Sequence, residues 1–201
     1  MTIMSSVLGV AAPRPAYLHE VYEAACDASP SACAVEIPVY RGTAERWSYA
    51  AVDGAANALA KVLAPRVTAA DSVIAISLPR CSVAVYVAQL ATLKCGAAYT
   101  CLDPHFPADR MRFVLNDSAP VAVLTTGSGL PAGAVPPGTA AADPSAVIDV
   151  MSFLGSRQGA GAWVGEPRLA KPVHLTPASL AYIIYTSGTT GVPKVRTGFM
   201  A

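Results

Sequence analysis

Near the end of the chain an apolar run, Ala181–Thr186 (AYIIYT), gives way at once to small, hydroxylated and glycine-rich residues: Thr186-Ser187-Gly188-Thr189-Thr190-Gly191-Val192-Pro193-Lys194. A chain of phosphates is held by backbone N–H groups at close approach, by hydroxyl donors and by a cation. Gly188 and Gly191 permit the close approach, Ser187, Thr189 and Thr190 supply hydroxyls, and Lys194 supplies the cation. On residue types alone, an ordinary solvated turn after a strand accounts equally well for the stretch. The commoner phosphate cradle, G-x-x-x-x-G-K-[ST], fails on spacing. Val192 and Pro193 separate Gly191 from Lys194, and Val195 stands where a hydroxyl is required.

Other constellations carry less. Cys95, Cys101 and His105 place two thiols and an imidazole close in sequence, but a structural zinc site needs four ligands, usually in close pairs, and no second pair exists. These thiols read instead as buried structural residues. Gly127-Ser128-Gly129 lacks the strand-to-helix context of a hydrolase nucleophile. Asp103 reads as a turn residue after a strand, and Asp109 as a favourable charge at a helix start. Arg80 and Lys94 read as solvated cations at element ends. No residue is singled out as catalytic, and no metal site is expected.

The elements that would position the phosphate-type turn alternate along the chain. Leu18–Ala28 spaces Leu18, Val21, Tyr22 and Ala25 at the helical period. Ala32–Tyr40 and Arg46–Ser48 read as a strand and its short return, with Pro38 confining the first to an edge. Ser48 is placed to cap a helix with an apolar stripe of Val52, Ala55, Ala56, Leu59 and Val62, stopped by Pro65. Strands at Val73–Leu78, Ala98–Leu102 and Val121–Thr125 then alternate with helices over Ser82–Lys94, ended by Gly96, and from Pro107 to about Asp117. Near-continuous apolar strands separated by helices predict βαβ units, hence an α/β fold with a parallel sheet buried on both faces. Residues 126–146 are too rich in Gly and Pro for a helix or strand and read as a flexible loop. Val147–Val150 is a short strand candidate, 152–172 is irregular, and Pro177–Leu180 reads as one helical turn before the last strand.

Composition narrows the function classes. Fourteen Lys+Arg against 13 Asp+Glu leave a net charge of +1, so no strong field points to a nucleic-acid partner. The 53% hydrophobic fraction supports a sizeable core, while no apolar run is long enough to span a bilayer as a helix. The patch from Ile3 to Ala12 lacks a basic segment before it, which speaks against a secretory signal. Five cysteines, an odd count placed largely in apolar segments, suit reduced thiols and a cytoplasmic location.

The segment YTSGTTGVPK, Tyr185 to Lys194, resembles the phosphate-binding signature of adenylate-forming enzymes, the superfamily of acyl-CoA synthetases, luciferases and nonribosomal peptide synthetase adenylation domains. Leu93–Thr125 (LKCGAAYTCLDPHFPADRMRFVLNDSAPVAVLT) and Trp47–Ala60 (WSYAAVDGAANALA) are similar to further segments of the peptide-synthetase branch, in the same order, as is the entry segment LHEVYEAACDASPSACAV. The resemblance runs from about Leu18 to Lys194, leaving 1–17 as a tail and 18–201 as part of an adenylation domain. It implies activation of a carboxylate, an amino acid in this branch, by ATP with Mg2+, and transfer to the phosphopantetheine of a carrier domain. It implies that Thr186, Ser187, Gly188, Thr189, Thr190, Gly191 and Lys194 hold the ATP phosphates.

The chain also departs from that pattern. The family continues from Pro-Lys into Gly and a histidine-bearing segment, whereas Val195-Arg196 stand here and only seven residues follow Lys194. The acidic magnesium ligand, the ribose-binding aspartate, the acyl pocket and the small lid domain with its lysine have no counterpart among these residues. The expectation is therefore the first subdomain of such an enzyme, inactive by itself. The alternative is a truncated or mis-assembled chain, at most a weak nucleotide-binding or assembly module.

Overall fold

A computed structural model of the chain describes residues 16–38, 42–127, 129–186 and 194–201. Helix α1 (Leu18–Ala28) leads into an antiparallel ribbon, β1 (Cys33–Ile37) with β2 (Glu45–Ser48). Ser48 ends the ribbon and caps helix α2 (Tyr49–Leu63), its hydroxyl accepting from the Ala51 N–H at 3.2 Å. That cap was legible because a hydroxyl side chain satisfies one of the orphan N–H groups of a first turn. Chain continues through β3 (Val73–Ile76), α3 (Val83–Lys94), β4 (Ala98–Cys101), α4 (Ala108–Ser118), β5 (Ala122–Thr125), β6 (Val147–Asp149), α5 (Val150–Gly155), β7 (Leu180–Thr186) and β8 (Lys194–Phe199).

The last six strands form one sheet in the order β6-β5-β3-β4-β7-β8, parallel except for the antiparallel β7–β8 pair. The two faces are covered separately, as a parallel sheet requires. On one face α2 and α3 pack with Ile74, Ile76 and Leu124; on the other, Val114 and Leu115 of α4 pack with Ala75, Leu102 and Val123. Alanines allow α2 to sit deep, and every residue from Ala51 to Ala60 is buried. Gly54 is required there, since a Cβ would lie 1.8 Å from the Trp163 carbonyl oxygen. Among the described residues no helix is long and apolar enough to cross a membrane.

The α/β class and the strand–helix alternation stand as expected from the sequence; several details do not. In α1 the buried residues are His19 and Cys26, while Leu18 and Val21 are exposed, so the inward face is turned from the expected stripe. Val62, expected in the α2 stripe, is exposed. Lys94, expected to be solvated, is buried and paired with Glu23 and with Asp53 at 2.9 Å. Of the thiols, Cys26 and Cys95 are buried, but Cys33, Cys81 and Cys101 are exposed. The stretch 152–172, expected to be irregular, begins inside α5, which Asp149 caps by accepting from Met151 and Ser152, and holds a 3-10 turn at Ala160–Trp163. Residues 126–146 carry 3-10 turns at Ala140–Ala142 and Pro144–Ala146, with Ala134, Ala141 and Ala146 buried. Pro177–Leu180 is not a helical turn; a single turn closes from Ser179 N–H to the Thr176 carbonyl.

Candidate functional site

Strand order dictates where a ligand crevice can open. From β4 the chain crosses by way of α4 to β5, on the far side of β3, whereas from β7 it passes outward to β8. Adjacent strands whose continuations diverge leave a crevice at their C-terminal ends, the usual ligand position in open α/β sheets. A cavity of about 400 Å³ lies at that point, with Arg80, Asp103, Phe106, Ile183, Ile184 and Tyr185 among its lining residues. Arg80 pairs with Asp103 Oδ2 at 2.8 Å, and Asp103 Oδ1 accepts from the His105 backbone N–H at 2.9 Å. That N–H and the His105 ring, ahead of the Arg80 charge, hold the Asp103 carboxyl below its ordinary range. Asp103 thus does the turn work expected of it, and it is also the anionic wall of the crevice.

The phosphate-type turn leaves from the same rim. Thr186 is the last residue of β7 and Lys194 the first of β8, and the two are register partners. The Thr186 hydroxyl donates to the Lys194 carbonyl at 3.2 Å. Residues 187–193 therefore connect two paired positions, whose Cα atoms stand about 4.5–5.5 Å apart in any antiparallel ladder. Thr186 and Lys194 are both exposed. No described acidic side chain pairs with Lys194, so its ammonium is available to an anion. Ser187, Gly188, Thr189, Thr190 and Gly191, the remaining predicted contacts, lie outside the described residues. The structure thus brings together the two ends of the predicted site.

Sequence reasoning missed the residues beneath it. Tyr185, one position before Thr186, donates its phenol proton to Asp117 Oδ2 at 2.6 Å and meets the Phe113 ring edge-on, at 6.3 Å between centroids. Burial, then the Asp117 carboxylate, pushes the Tyr185 phenol well above its ordinary range. Spacing could not reveal this pair, because Asp117 and Tyr185 lie far apart in the chain and meet only through the crossover. At the opposite end of the sheet, Lys94 and Arg168 bind Glu23, Asp53 and Asp27 in a cluster that ties α1, α2 and α3 together. It stands away from the crevice and serves the scaffold.

The sequence model described as "AMP-binding enzyme" matches residues 22–195. A dimodular nonribosomal peptide synthase of Bacillus subtilis is 37% identical over 180 residues, covering 89% of this chain and 7% of the relative. An isonitrile lipopeptide synthase of Mycobacterium tuberculosis is 37% identical over 189 residues, covering 94% of this chain and 7% of the relative. The chain thus spans a small part of the relatives it matches. Among solved structures, the N-terminal subdomain of Klebsiella oxytoca NpsA superposes with a TM-score of 0.67 at 20% identity, over 90% of this chain and 41% of that one. The same subdomain is also known in complex with 3-hydroxyanthranilyl-AMSN, with a TM-score of 0.65 to this chain. At that identity the superposition speaks for the fold.

Proposed function

The chain belongs to the AMP-binding enzyme family, the adenylate-forming group that includes nonribosomal peptide synthetase adenylation domains, and on that premise we propose that its 186–194 turn holds the β- and γ-phosphates of ATP. The reaction it serves is activation of a carboxylate, in this branch an amino acid. A carboxylate oxygen attacks the α-phosphorus, the bond from that phosphorus to the bridging oxygen breaks, and pyrophosphate leaves with the electron pair. The phosphopantetheine thiol of a carrier domain, its proton lost to solvent, then attacks the acyl carbonyl carbon; the acyl–phosphate C–O bond breaks, AMP leaves with the electron pair, and the acyl group stays on the carrier as a thioester.

In that step this chain supplies electrostatics and no proton transfer. Hydroxyls of Thr186, Ser187, Thr189 and Thr190 and amides at Gly188 and Gly191 donate to phosphate oxygens, and Lys194 offsets charge building on the departing pyrophosphate. None of these groups acts as a nucleophile, acid or base. Mg2+ supplies charge neutralisation on the triphosphate in this family, but the described residues contain no group of three or more His, Cys, Asp and Glu side chains able to hold a metal. Mg2+ at a nucleotide site is held largely by the phosphates and water, so such a group is not needed for it to act there.

The observation that carries this reading is the Thr186–Lys194 pair, which closes the hydroxyl- and glycine-rich connection at the crevice and leaves the Lys194 ammonium exposed. Competition calorimetry on the purified chain tests it. Pyrophosphate and ATP should displace one another from a single site of about millimolar affinity, equivalent to roughly 4 kcal/mol, with AMP much weaker. Lys194→Ala and Thr190→Ala should each weaken binding. AMP binding as tightly as ATP, or pyrophosphate failing to compete, contradicts the assignment.

A further inference from the structure

The end of β7 has little to lean on. Its pairing with β4 covers Tyr99↔Tyr182 and Thr100↔Ile183, so Ile184, Tyr185 and Thr186 continue beyond that ladder with β8 alone beside them. β8 is itself the edge of the sheet. Successive side chains of a strand face opposite ways, and here the last two are held separately. The Tyr185 phenol reaches α4, where Asp117 accepts it at 2.6 Å and Phe113 braces its ring; the Thr186 hydroxyl reaches the Lys194 carbonyl at 3.2 Å.

Asp117 has no local reason to be where it is. It occupies the last turn of α4, where the helix dipole disfavours a negative charge. The helix then closes on Ala119 at φ 41°, a left-handed conformation an alanine adopts at a cost. Residues that oppose local preference mark sites of function or of tertiary constraint. The Asp117 partner is the residue immediately before the phosphate-type turn.

We infer that Asp117 is a positioning residue: through the Tyr185 phenol it fixes the end of β7, and with it Thr186 and Lys194, at a set place relative to α4. The inference rests on the phosphate-binding reading of the turn. A cradle works only while its donors are held to within a fraction of an ångström, since misplacement by about 1 Å is enough to lose most of a positioning effect. Burial keeps the phenol protonated, so the donor persists across the neutral range.

Three substitutions in the 201-residue chain separate this role from a contribution to stability alone. Tyr185→Phe keeps the ring and its Phe113 contact but removes the donor; Asp117→Leu removes the acceptor; Asp117→Asn keeps an acceptor oxygen. Each is titrated with pyrophosphate at a temperature where circular dichroism shows it folded, and amide hydrogen exchange is followed residue by residue. Tyr185→Phe and Asp117→Leu should weaken pyrophosphate binding roughly three- to tenfold. They should also speed exchange at 184–186 and 195–197 by about tenfold while leaving β3 and β5 unchanged. Asp117→Asn should stay within about twofold in both readouts. Wild-type affinity and local exchange in all three variants, whatever their melting temperatures, overturns the inference alone. A wild-type chain that binds no pyrophosphate overturns the phosphate reading and this role with it.

Discussion

Lys94→Met should destabilise the fold more than any surface charge deletion. The Lys94 side chain is 3% exposed, and it faces Glu23 and Asp53, whose side chains are 18% and 9% exposed. The cluster holds two cations, Lys94 and Arg168, against three carboxylates, Glu23, Asp27 and Asp53, so methionine leaves one cation to serve three anions. Breaking a buried pair from one side costs about 3–5 kcal/mol, because the surviving charge stays desolvated. Arg168 still reaches Asp53 Oδ2 at 3.2 Å and Glu23 at 3.6 Å, which places the loss at the low end of that range. For a chain of this size, about 3 kcal/mol corresponds to a melting temperature roughly 6–12 °C lower. Urea unfolding of Lys94→Met, Asp53→Asn and the double variant measures the coupling, expected to be at least ~1.5 kcal/mol. A drop of under about 1 kcal/mol, with additive single effects, is the behaviour of a solvated pair and would refute the buried-network account.

Thiol accessibility follows burial: Cys33 and Cys81 should react promptly with a chromogenic disulfide in the native chain, whereas Cys95, whose burial raises its pKa to about 12, should react only on unfolding. Native-state labelling of Cys95 at the same rate counts against the packing described for α3. Stability should decline toward acid in two stages, read as urea midpoints against pH. Burial holds His19 below its ordinary 6.5, so its contribution is complete above that value and fades as pH falls and the unfolded chain takes up the proton first. The Arg168 hydrogen bond to Asp27 and the Lys61 hydrogen bond to Glu166 hold those carboxyls below their ordinary 3.8 and 4.5. Their contribution is complete above those ordinary values and lost as pH falls through the depressed ones, and a midpoint rising toward acid would contradict both assignments. Purified 1–201 polypeptide with ATP, Mg2+ and mixed amino acids should release no pyrophosphate above a protein-free control, because a phosphate cradle alone cannot place a carboxylate against the α-phosphorus. Robust amino-acid-dependent release would show that the chain carries more of the machinery than is assigned to it.

What could be read from the residues was mostly local. The Ser48 cap, the apolar strands Val73–Ile76 and Ala122–Thr125, and the abrupt change of character after Tyr185 each announce themselves within a few positions. The errors arose where partners come from elsewhere. Lys94 looks like a helix-end cation until Glu23 and Asp53 arrive from two other helices, and the same cluster draws Glu23 inward and turns the α1 face away from Leu18 and Val21. β8 (KVRTGF) leaves its apolar side chains, Val195 and Phe199, exposed and is a strand because β7 dictates its register. Gly198 is part of that fit: a Cβ there would lie 2.2 Å from the Tyr182 ring, which would have to move aside, a constraint visible only once the strands are paired. The phosphate-type turn was legible as a motif, while the Asp117–Tyr185 support beneath it was not, because it depends on the crossover that lays α4 against the end of β7.

Residue-resolved amide spectra of the isotopically labelled chain, recorded as pyrophosphate is added, test the phosphate-cradle claim most directly. Saturable shifts should gather on residues 186–194, with a midpoint of about a millimolar, and should shrink in Lys194→Ala. Shifts centred elsewhere, for example around Arg46 and Arg157 on the surface cavity that they line, or no saturable change at all, would contradict it.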